Sequence, residues 1–287
     1  MGLTYDALLR DTAVALTAAG IDNVRFEARL LLSHATGLQV EALISHGRDP
    51  APPSVEEKLR TLTARRVRRE PMAYILGERE FWGLPFKVSP AVLVPRPDSE
   101  TVIEAALPLL ADRMRAWRLL DLGLGSGCLL LTLLKELPNA RGVGLDVSRE
   151  ALAVAQTNAQ TLGVADRATL VHGDWREPDW TRSLGGPFDL VVSNPPYIEA
   201  GTIDRLMPEV ARYEPRLALD GGPDGLDPYR LIAAASLQLI VPGGYLLVEI
   251  GEGQAIEITC VFKAAGLRVA APVKDLGGID RVLRATH

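Results

Sequence analysis

The segment Asn194-Pro195-Pro196-Tyr197 carries the residue types needed to hold an NH2 group on a planar carbon. The Asn194 side-chain oxygen and a nearby main-chain carbonyl provide two acceptors, which match the two hydrogens of such a group. Tyr197 offers a flat face to the planar group that carries the nitrogen. Because each proline fixes its own φ and restrains the residue before it, we expect these groups to be in place before a substrate arrives.

The chemistry that suits this segment is transfer of a methyl group to nitrogen. An amide or aryl NH2 is a poor nucleophile because its lone pair is delocalised, and acceptors on both hydrogens can turn that lone pair towards an electrophilic methyl group. The transfer is an in-line displacement, so positioning supplies much of its rate and no strong base is needed beforehand. We predict Asn194, Pro195 and Tyr197 as catalytic residues and Asn194–Tyr197 as the substrate-binding segment. A simpler interpretation is a turn that ends a strand, since Asn and Pro are common in turns.

A glycine-rich turn is the first of three features that fit a bound adenosine-containing cofactor. An apolar strand candidate ends in Gly123-Leu124-Gly125-Ser126-Gly127, where glycines let the backbone turn sharply and approach a ligand. The G-x-G-x-G spacing differs from the G-x-G-x-x-G of pyrophosphate binders. On its own this turn is equally compatible with an ordinary connection from strand to helix.

Two further features follow the next two strand candidates. Asp146 lies about 20 positions beyond the glycine turn, where a carboxylate can hold both hydroxyls of a ribose. Asp174 could accept a hydrogen bond from an adenine amino group, and Trp175 could stack on the ring or be a partly buried structural aromatic. Three such features at successive strand ends predict a cofactor site at the carboxyl edge of a sheet.

The elements that must position these residues are predicted from residue 117 onward, where apolar runs alternate with helical stretches. Parallel strands need returning helices, so this alternation predicts a doubly wound, mostly parallel sheet. The connection Lys274–Ile279 is too short for a crossover helix, so we expect the last two strands to be antiparallel. The predicted strands are Arg118–Leu122, Gly142–Val147, Ala168–His172, Phe188–Ser193, Tyr245–Ile250, Arg268–Val273 and Asp280–Arg284.

The fold class expected is α/β, with a seven-stranded, mostly parallel Rossmann-like sheet that contains one antiparallel strand. Residues 1–80 show apolar positions at helical spacing and predict a small helical domain. Residues 81–96 contain short aromatic and β-branched runs broken by Gly and Pro, which predict a β-hairpin linker. Residues 97–287 then form the domain that binds the cofactor and carries out the chemistry.

A basic run in the helical segment has two interpretations that the sequence does not separate. It is either a solvated helix face or a contact surface for an acidic or RNA-rich partner. The residues of this run are Lys58, Arg60, Arg65, Arg66, Arg68 and Arg69.

The composition excludes several classes of protein. With 287 residues and a net charge of -5, the chain does not suit bulk nucleic-acid binding, which needs a basic surface. Cys128 and Cys260 are the only cysteines, and two thiols set neither a disulfide framework nor a zinc site. Neither a signal-length apolar run at the N-terminus nor a stretch of roughly 20 apolar residues occurs. We therefore expect a cytoplasmic, monomeric protein that uses no metal and binds no membrane.

These motifs resemble those of a known family. Asn194–Tyr197 resembles the (N/D/S)PP(Y/F/W) signature of amino-group methyltransferases that use S-adenosylmethionine. Over nearly its full length the chain resembles the PrmC/HemK-type methyltransferases, which modify peptide chain release factors. The segments that carry this likeness are Tyr74–Gly77, Glu80–Gly83, Val94–Pro97, Gly123–Gly127, Gly173–Trp175, Asn194–Tyr197, Tyr213–Leu219 and Lys274–Val282.

The resemblance implies a reaction and a set of roles. S-adenosylmethionine would methylate the side-chain amide nitrogen, N5, of the glutamine in the Gly-Gly-Gln motif of class 1 release factors, leaving S-adenosylhomocysteine. Gly123–Gly127, Asp146, Trp175 and Asn194 would contact the cofactor or lie beside it. Asn194–Tyr197 would hold the glutamine, and the helical first domain would dock the protein substrate.

The chain departs from the family pattern at a few positions. Leu124 stands in the glycine turn where Thr is usual, and Gly277 stands where Ala is expected. The stretch Asp98-Ser99-Glu100 replaces a preferred Glu-Thr-Glu. We expect none of these positions to touch the group that would hold the amide, so the departures leave the expected reaction intact.

Three other functions compete with this interpretation. A sister enzyme that methylates a glutamine of a large-subunit ribosomal protein shares the chemistry and differs in docking. An adenine-N6 DNA methyltransferase would present the same kind of NH2 group after base flipping. Such an enzyme needs a basic target-recognition region, which is missing apart from residues 58–69, so no direct DNA binding is expected. A binding module with a vestigial cofactor site would lack the intact tetrapeptide.

Overall fold

The computed structural model describes residues 2–287, which separate into two compact units. The smaller unit contains the chain up to Gly77 together with Met207–Tyr213. The larger unit contains Glu78–Leu206 and Glu214–His287. The sequence pattern does not anticipate that a short segment from the second half of the chain packs with the first helices.

The helices and strands are numbered in chain order. The helices are α1 Tyr5–Ala18, α2 Val24–Thr36, α3 Val40–Ser45, α4 Pro53–Val67, α5 Met72–Leu76, α6 Glu100–Ala106, α7 Cys128–Glu136, α8 Arg149–Thr161, α9 Pro208–Tyr213, α10 Asp227–Leu239 and α11 Ala255–Ala264. The strands are β1 Glu78–Phe81, β2 Leu84–Lys87, β3 Arg118–Leu122, β4 Arg141–Asp146, β5 Ala168–His172, β6 Phe188–Ser193, β7 Ile240–Glu249, β8 Arg268–Val269, β9 Val273–Lys274 and β10 Asp280–Thr286. Among residues 2–287 no helix has both the length and the apolarity to span a bilayer.

The smaller unit is built around α1, α2 and α4, whose apolar residues recur at helical spacing. Leu16 of α1 and Leu31 and Leu32 of α2 are completely buried in its core. Leu59 and Leu62 of α4 complete the same cluster. The predicted helical character of this segment is therefore confirmed by the secondary structure.

The sheet of the larger unit has the strand order β5-β4-β3-β6-β7-β10-β8, with β9 also paired to β10. Strands β3 to β7 pair in parallel, whereas β10 pairs antiparallel with β7, β8 and β9. The predicted mostly parallel sheet with one reversed strand is thus confirmed. The predicted count of seven strands is wrong, because Arg268–Val273 is interrupted at residues 270–272, where Pro272 cannot donate a ladder hydrogen bond.

Consecutive residues of the central strands face opposite sides of this sheet, because side chains alternate along a strand. Leu119 and Leu190 pack with the leucines of α7 in one buried cluster. Leu120 and Val191 pack with α10 and α11 in the other. Since β4 lies on one side of β3 and β6 on the other, the sheet order reverses between β3 and β6, and ligands bind in the crevice at such a point.

The hairpin lies earlier than predicted. It consists of Glu78–Phe81 paired with Leu84–Lys87, joined by Trp82 and Gly83, which both have positive φ as the tight hairpin turns require. The predicted range 81–96 began too late because Glu78-Arg79-Glu80 is exposed and carries no apolar signal. It also ran too far, since residues 88–96 form no strand. Phe81 and Phe86 are buried in the core of the larger unit.

Candidate functional site

A cavity of about 770 Å³ opens at the carboxyl ends of the parallel strands of the larger unit. Among the predicted site residues, those that line it are Gly123, Leu124, Gly125, Ser126, Asp146, Asp174, Trp175, Asn194 and Pro196. Gly127, Pro195 and Tyr197 are not part of the lining. The structure therefore brings the three strand-end features and the Asn194 segment to one place.

The glycine turn depends on backbone conformations that favour glycine. Gly123 has φ +77°, and a Cβ built on it would stand 3.2 Å from Cη2 of Trp175. Gly127 has φ +82° and precedes α7, where a Cβ would stand 2.8 Å from Cδ1 of Leu131. Gly123 thus permits a close approach to the aromatic wall of the cavity, whereas Gly127 permits the packing of α7.

Asp146 joins the end of β4 to the glycine turn. Its Oδ2 accepts from the Gly125 amide at 2.7 Å, and its Oδ1 accepts from the Ser148 amide at 2.8 Å. Burial raises the pKa of Asp146, while these amide donors act in the opposite direction. Each carboxylate oxygen keeps a lone pair that a ribose hydroxyl could use.

Asp174 and Trp175 line the same cavity, and each also has a contact within the chain. The Asp174 carboxylate pairs with Arg176 at 2.6 Å, and this contact lowers its pKa. An adenine amino group would have to share these oxygens with Arg176. Trp175 packs against the buried cluster beneath the sheet and against Gly123, so it has both a structural contact and an exposed edge at the cavity.

Asp121 is a cavity residue that the sequence analysis did not select. It is 1% exposed, its Oδ2 accepts from the Leu130 amide at 3.2 Å, and its Oδ1 has no hydrogen-bond partner within the described residues. Burial raises the pKa of Asp121 to about 8, and the charge of Asp146 adds to the effect. The available signal was an acid inside an otherwise apolar strand directly before the glycine turn. Such a group suits a cationic part of a ligand.

Asn194 is oriented by a buried hydroxyl. Its Nδ2 donates to Oγ of Ser99 at 3.1 Å, and Ser99 is only 2% exposed. Because the amide nitrogen is used in this way, Oδ1 remains as the acceptor that a substrate NH2 group needs. The expectation that no departure from the family pattern touches the amide-binding group is therefore wrong for Ser99, whose contact with Asn194 across 95 positions has no signal in the sequence.

Tyr197 is fixed at both ends, by the last residue of β7 and by a residue that follows this strand. Its hydroxyl donates to Oε1 of Glu249 at 3.3 Å, and its carbonyl accepts from Nε2 of Gln254 at 3.1 Å. Burial and the neighbouring Glu249 raise the pKa of Tyr197 well above its usual value, so the phenol stays protonated. Neither Glu249 nor Gln254 was selected from the sequence.

An ion pair connects two of the segments that carried the family resemblance. Arg96 donates to Oε1 of Glu214 at 2.7 Å, and the Glu214 side chain is 1% exposed. Burial raises the pKa of Glu214, while Arg96 acts in the opposite direction. This pair holds the Val94–Pro97 segment against Glu214–Leu219 at the wall of the cavity. No cluster of His, Cys, Asp or Glu suited to a metal ion occurs in residues 2–287.

Comparisons with known proteins show which families this chain resembles. Residues 7–77 match the family described as PrmC N-terminal domain, and residues 119–213 match the family described as methyltransferase domain. A release factor glutamine methyltransferase of Bradyrhizobium diazoefficiens is 44% identical over 287 residues, covering 99% of this chain and 95% of that protein. A protein of the same name from Caulobacter vibrioides is 46% identical, covering 93% of this chain and 91% of that protein.

A solved structure shares the fold. The hMettl16 catalytic domain in complex with MAT2A 3′UTR hairpin 6 matches with a TM-score of 0.59 at 17% identity. The match covers 78% of this chain and 81% of that one. At this level of identity the likeness concerns the fold alone.

Proposed function

We propose, from the premise that this chain belongs to the release factor glutamine methyltransferase family, that it methylates the side-chain amide nitrogen, N5, of the glutamine in the Gly-Gly-Gln motif of class 1 release factors. The methyl donor is S-adenosylmethionine. The observation that carries the proposal is the orientation of Asn194 by Ser99, which leaves an amide oxygen as acceptor beside a cavity fit for the donor.

A buried oxygen without a partner among the described residues indicates that the cavity residues fit S-adenosylmethionine. The unpartnered Oδ1 of Asp121 is a buried acceptor that would pair with the α-ammonium group of the cofactor. Asp146 would hold the ribose hydroxyls, and Trp175 would flank the adenine ring. The glycine turn leaves room for the cofactor, since Gly123 and Gly125 have no Cβ. When bound, the cofactor supplies a methyl group on a positively charged sulfur.

The substrate amide would be held by the Asn194–Tyr197 segment. Oδ1 of Asn194 and a main-chain carbonyl of the segment would accept the two amide hydrogens, and the Tyr197 ring would lie against the plane of the amide. These acceptors orient the nitrogen lone pair and stabilise the positive charge that develops on nitrogen. The surplus proton leaves for water after the transfer, so the chain needs no strong base.

The smaller unit provides the docking surface for the protein substrate in this proposal. Arg10, Arg25 and Arg29 border, together with the single acid Asp6, a cavity of about 290 Å³ in this unit, and none of the three guanidinium groups has an ion pair or hydrogen bond within residues 2–287. In contrast, Arg66 and Arg69 of the basic run are bound to Glu209. We assign the docking surface to these arginines of α1 and α2 and not to the basic run, where Arg65, Arg66 and Arg69 pair with acids of the same unit.

The experiment that tests this proposal compares two protein substrates. The purified chain is incubated with methyl-labelled S-adenosylmethionine and either a class 1 release factor or the large-subunit ribosomal protein of the sister reaction. We expect label in the release factor and none in the ribosomal protein. Label in the ribosomal protein alone would overturn the choice of substrate, and label in neither would overturn the proposed activity.

A further inference from the structure

Glu249 is a buried carboxyl group directly behind the Asn194–Tyr197 segment. It is the last residue of β7 and is 1% exposed. Its Oε1 accepts from the Tyr197 hydroxyl at 3.3 Å, whereas its Oε2 has no hydrogen-bond partner among the described residues. Leaving a carboxylate oxygen buried and unpaired costs free energy, so this position calls for a function.

A second contact links Glu249 to the other end of the segment. The Ser99 hydroxyl, which accepts from Nδ2 of Asn194, lies close enough to Glu249 to lower the pKa of that carboxyl. Ser99 therefore interacts with both Asn194 and Glu249. Both polar side chains of the tetrapeptide thus depend on one buried carboxyl, Tyr197 directly and Asn194 through Ser99.

We propose that Glu249 is a positioning residue that, in its ionised form, fixes the hydrogen-bond direction of Ser99 and hence the orientation of the Asn194 amide, while it also anchors Tyr197. This inference rests on the proposed function and concerns the same site. An ionised carboxylate only accepts, so Ser99 must give its hydrogen to Glu249 and offer its lone pair to Nδ2 of Asn194. Oδ1 of Asn194 is then the atom available to the substrate amide.

Protonation of Glu249 removes this restriction. A neutral carboxyl can donate to Ser99, whose hydrogen is then free to turn towards Asn194. The Asn194 amide would rotate to accept that hydrogen and would present its own NH2 to the substrate. Two NH2 groups facing each other offer donors only, so the substrate amide would lose an acceptor that orients its lone pair.

The surroundings of Glu249 place this change near neutral pH. Burial raises the pKa of Glu249 to about 7, while Ser99, Arg281 and Tyr197 act in the opposite direction. The raised pKa means that the carboxyl is neutral below about pH 7 and ionised above it. The titratable or charged groups that influence it from neighbouring elements are Asp98, Cys128, Tyr197, Tyr229 and Arg281.

Tyr197 has little freedom to move away from Glu249. Gln254 binds its carbonyl, and a Cβ built on Gly251 would stand 3.1 Å from Cδ2 of the Tyr197 ring. A Cβ on Gly225 would stand 2.5 Å from the Tyr197 carbonyl oxygen. Main chain therefore packs against Tyr197 at two positions, and its hydroxyl is held where Glu249 stands.

The test compares Glu249→Gln with the wild type in methylation of a release factor between pH 6 and pH 8. For the wild type we expect kcat to rise across this range as Glu249 ionises. For Glu249→Gln, which can donate to Ser99, we expect kcat at pH 8 to fall about 10- to 100-fold and to be flat with pH, with the cofactor Kd unchanged. Glu252→Gln is the matched control, because Glu252 is exposed and three residues away, and its profile should equal that of the wild type.

Wild-type kcat and an unchanged pH profile in Glu249→Gln would overturn the inference. If that variant does not fold, Ser99→Ala and Ser99→Thr decide the matter: removal of the hydroxyl should lower kcat and flatten the profile, and Thr should restore both. Equal profiles for Ala and Thr would also overturn the inference. Failure of the proposed function is distinguishable, because the wild type itself would then methylate no glutamine.

Discussion

Asn194 can act as an acceptor because its own amide nitrogen is already bound, and this makes the residue sensitive to truncation. Asn194→Ala removes one preorganised polar group from the reacting nitrogen, so we expect kcat to fall by about 100-fold or more. The cofactor Kd should change little, since Asp146 and the glycine turn remain. Steady-state methylation and calorimetric titration measure the two effects. Unchanged turnover would mean that the amide is held elsewhere.

The matched control for this variant is Asn139→Ala. Asn139 is an exposed asparagine whose Nδ2 donates to the Met114 carbonyl away from the cavity. Its loss should leave kcat and the cofactor Kd at wild-type values, and a comparable loss of turnover would show that the effect of Asn194→Ala is not specific.

Asp121 gives a second prediction for a single residue. Its pKa is raised to about 8, so the carboxyl is mostly neutral at pH 7 and must lose its proton to bind an ammonium group. Affinity for S-adenosylmethionine should therefore rise with pH from 6 to 8, by up to about tenfold per pH unit. Asp121→Asn should bind more weakly and lack this part of the pH dependence. Titrations of both proteins test the expectation, and equal slopes would exclude Asp121 from ammonium binding.

At this scale the sequence predicted residues at strand ends and missed the residues behind them. Asp146 and Asn194 could be selected because each directly follows an apolar run that predicts a strand. Ser99 and Glu249 could not, since they act on Asn194 and Tyr197 across 95 and 52 positions. A single sequence contains no signal that such distant positions meet.

Three arginines of the basic run form ion pairs inside the smaller unit. Arg65 donates to Glu70 at 2.9 Å, and Arg66 donates to Glu27 at 2.6 Å and to Glu209 at 2.9 Å. The neighbouring Arg69 donates to the same Glu209 at 2.9 Å. Arg66 thus connects α4 to α2 and α9, and Arg65 and Arg69 are also paired inside the smaller unit, so these three arginines are not a freely solvated face. Lys58, Arg60 and Arg68 remain exposed.

This ion-pair cluster yields a stability prediction. Glu209→Ala removes an acceptor shared by Arg66, which is 7% exposed, and Arg69, so we expect the free energy of unfolding to drop by about 2–3 kcal/mol. Urea unfolding measures the change. Asp204→Ala is the matched control, because the Asp204 side chain is 84% exposed in its pair with Arg216 and should change stability by less than about 1 kcal/mol. Equal effects would contradict the assigned importance of Glu209.

The elements themselves were predicted with uneven success. The run of βα units was recognisable because buried strands and helices differ in apolar periodicity. The split of the predicted strand at Pro272 and the early start of the hairpin were missed, since neither β8 nor the charged strand Glu78–Phe81 has an apolar pattern of its own. Helix α9 belongs to the smaller unit, where Glu209 pairs with Arg66. No local sequence pattern predicts this contact.

For the whole molecule, docking and chemistry should be separable by mutation. The double variant Arg25→Glu with Arg29→Glu reverses the charge of two arginines without partners in the described chain. We expect KM for an intact release factor to rise about five- to tenfold, since opposite charge no longer steers the partner. kcat should stay within about twofold, because neither residue lines the catalytic cavity.

The control for docking is Arg60→Glu, which reverses an exposed arginine of the same unit that has only a weak 3.8 Å contact with Glu56. KM should then stay near the wild-type value. If the Arg60 variant and the double variant raise KM equally, net charge alone controls binding and the proposed docking surface is wrong.

The central claim is that this chain places one methyl group on the side-chain nitrogen of a glutamine. Mass spectrometry of a class 1 release factor, digested after incubation with the chain and S-adenosylmethionine, tests it most directly. The account predicts that the Gly-Gly-Gln peptide gains one CH2, that fragmentation assigns it to the glutamine side chain, and that Asn194→Ala slows this gain by about 100-fold or more. A methyl group on any other residue, or an unmodified glutamine with active cofactor binding, would contradict it.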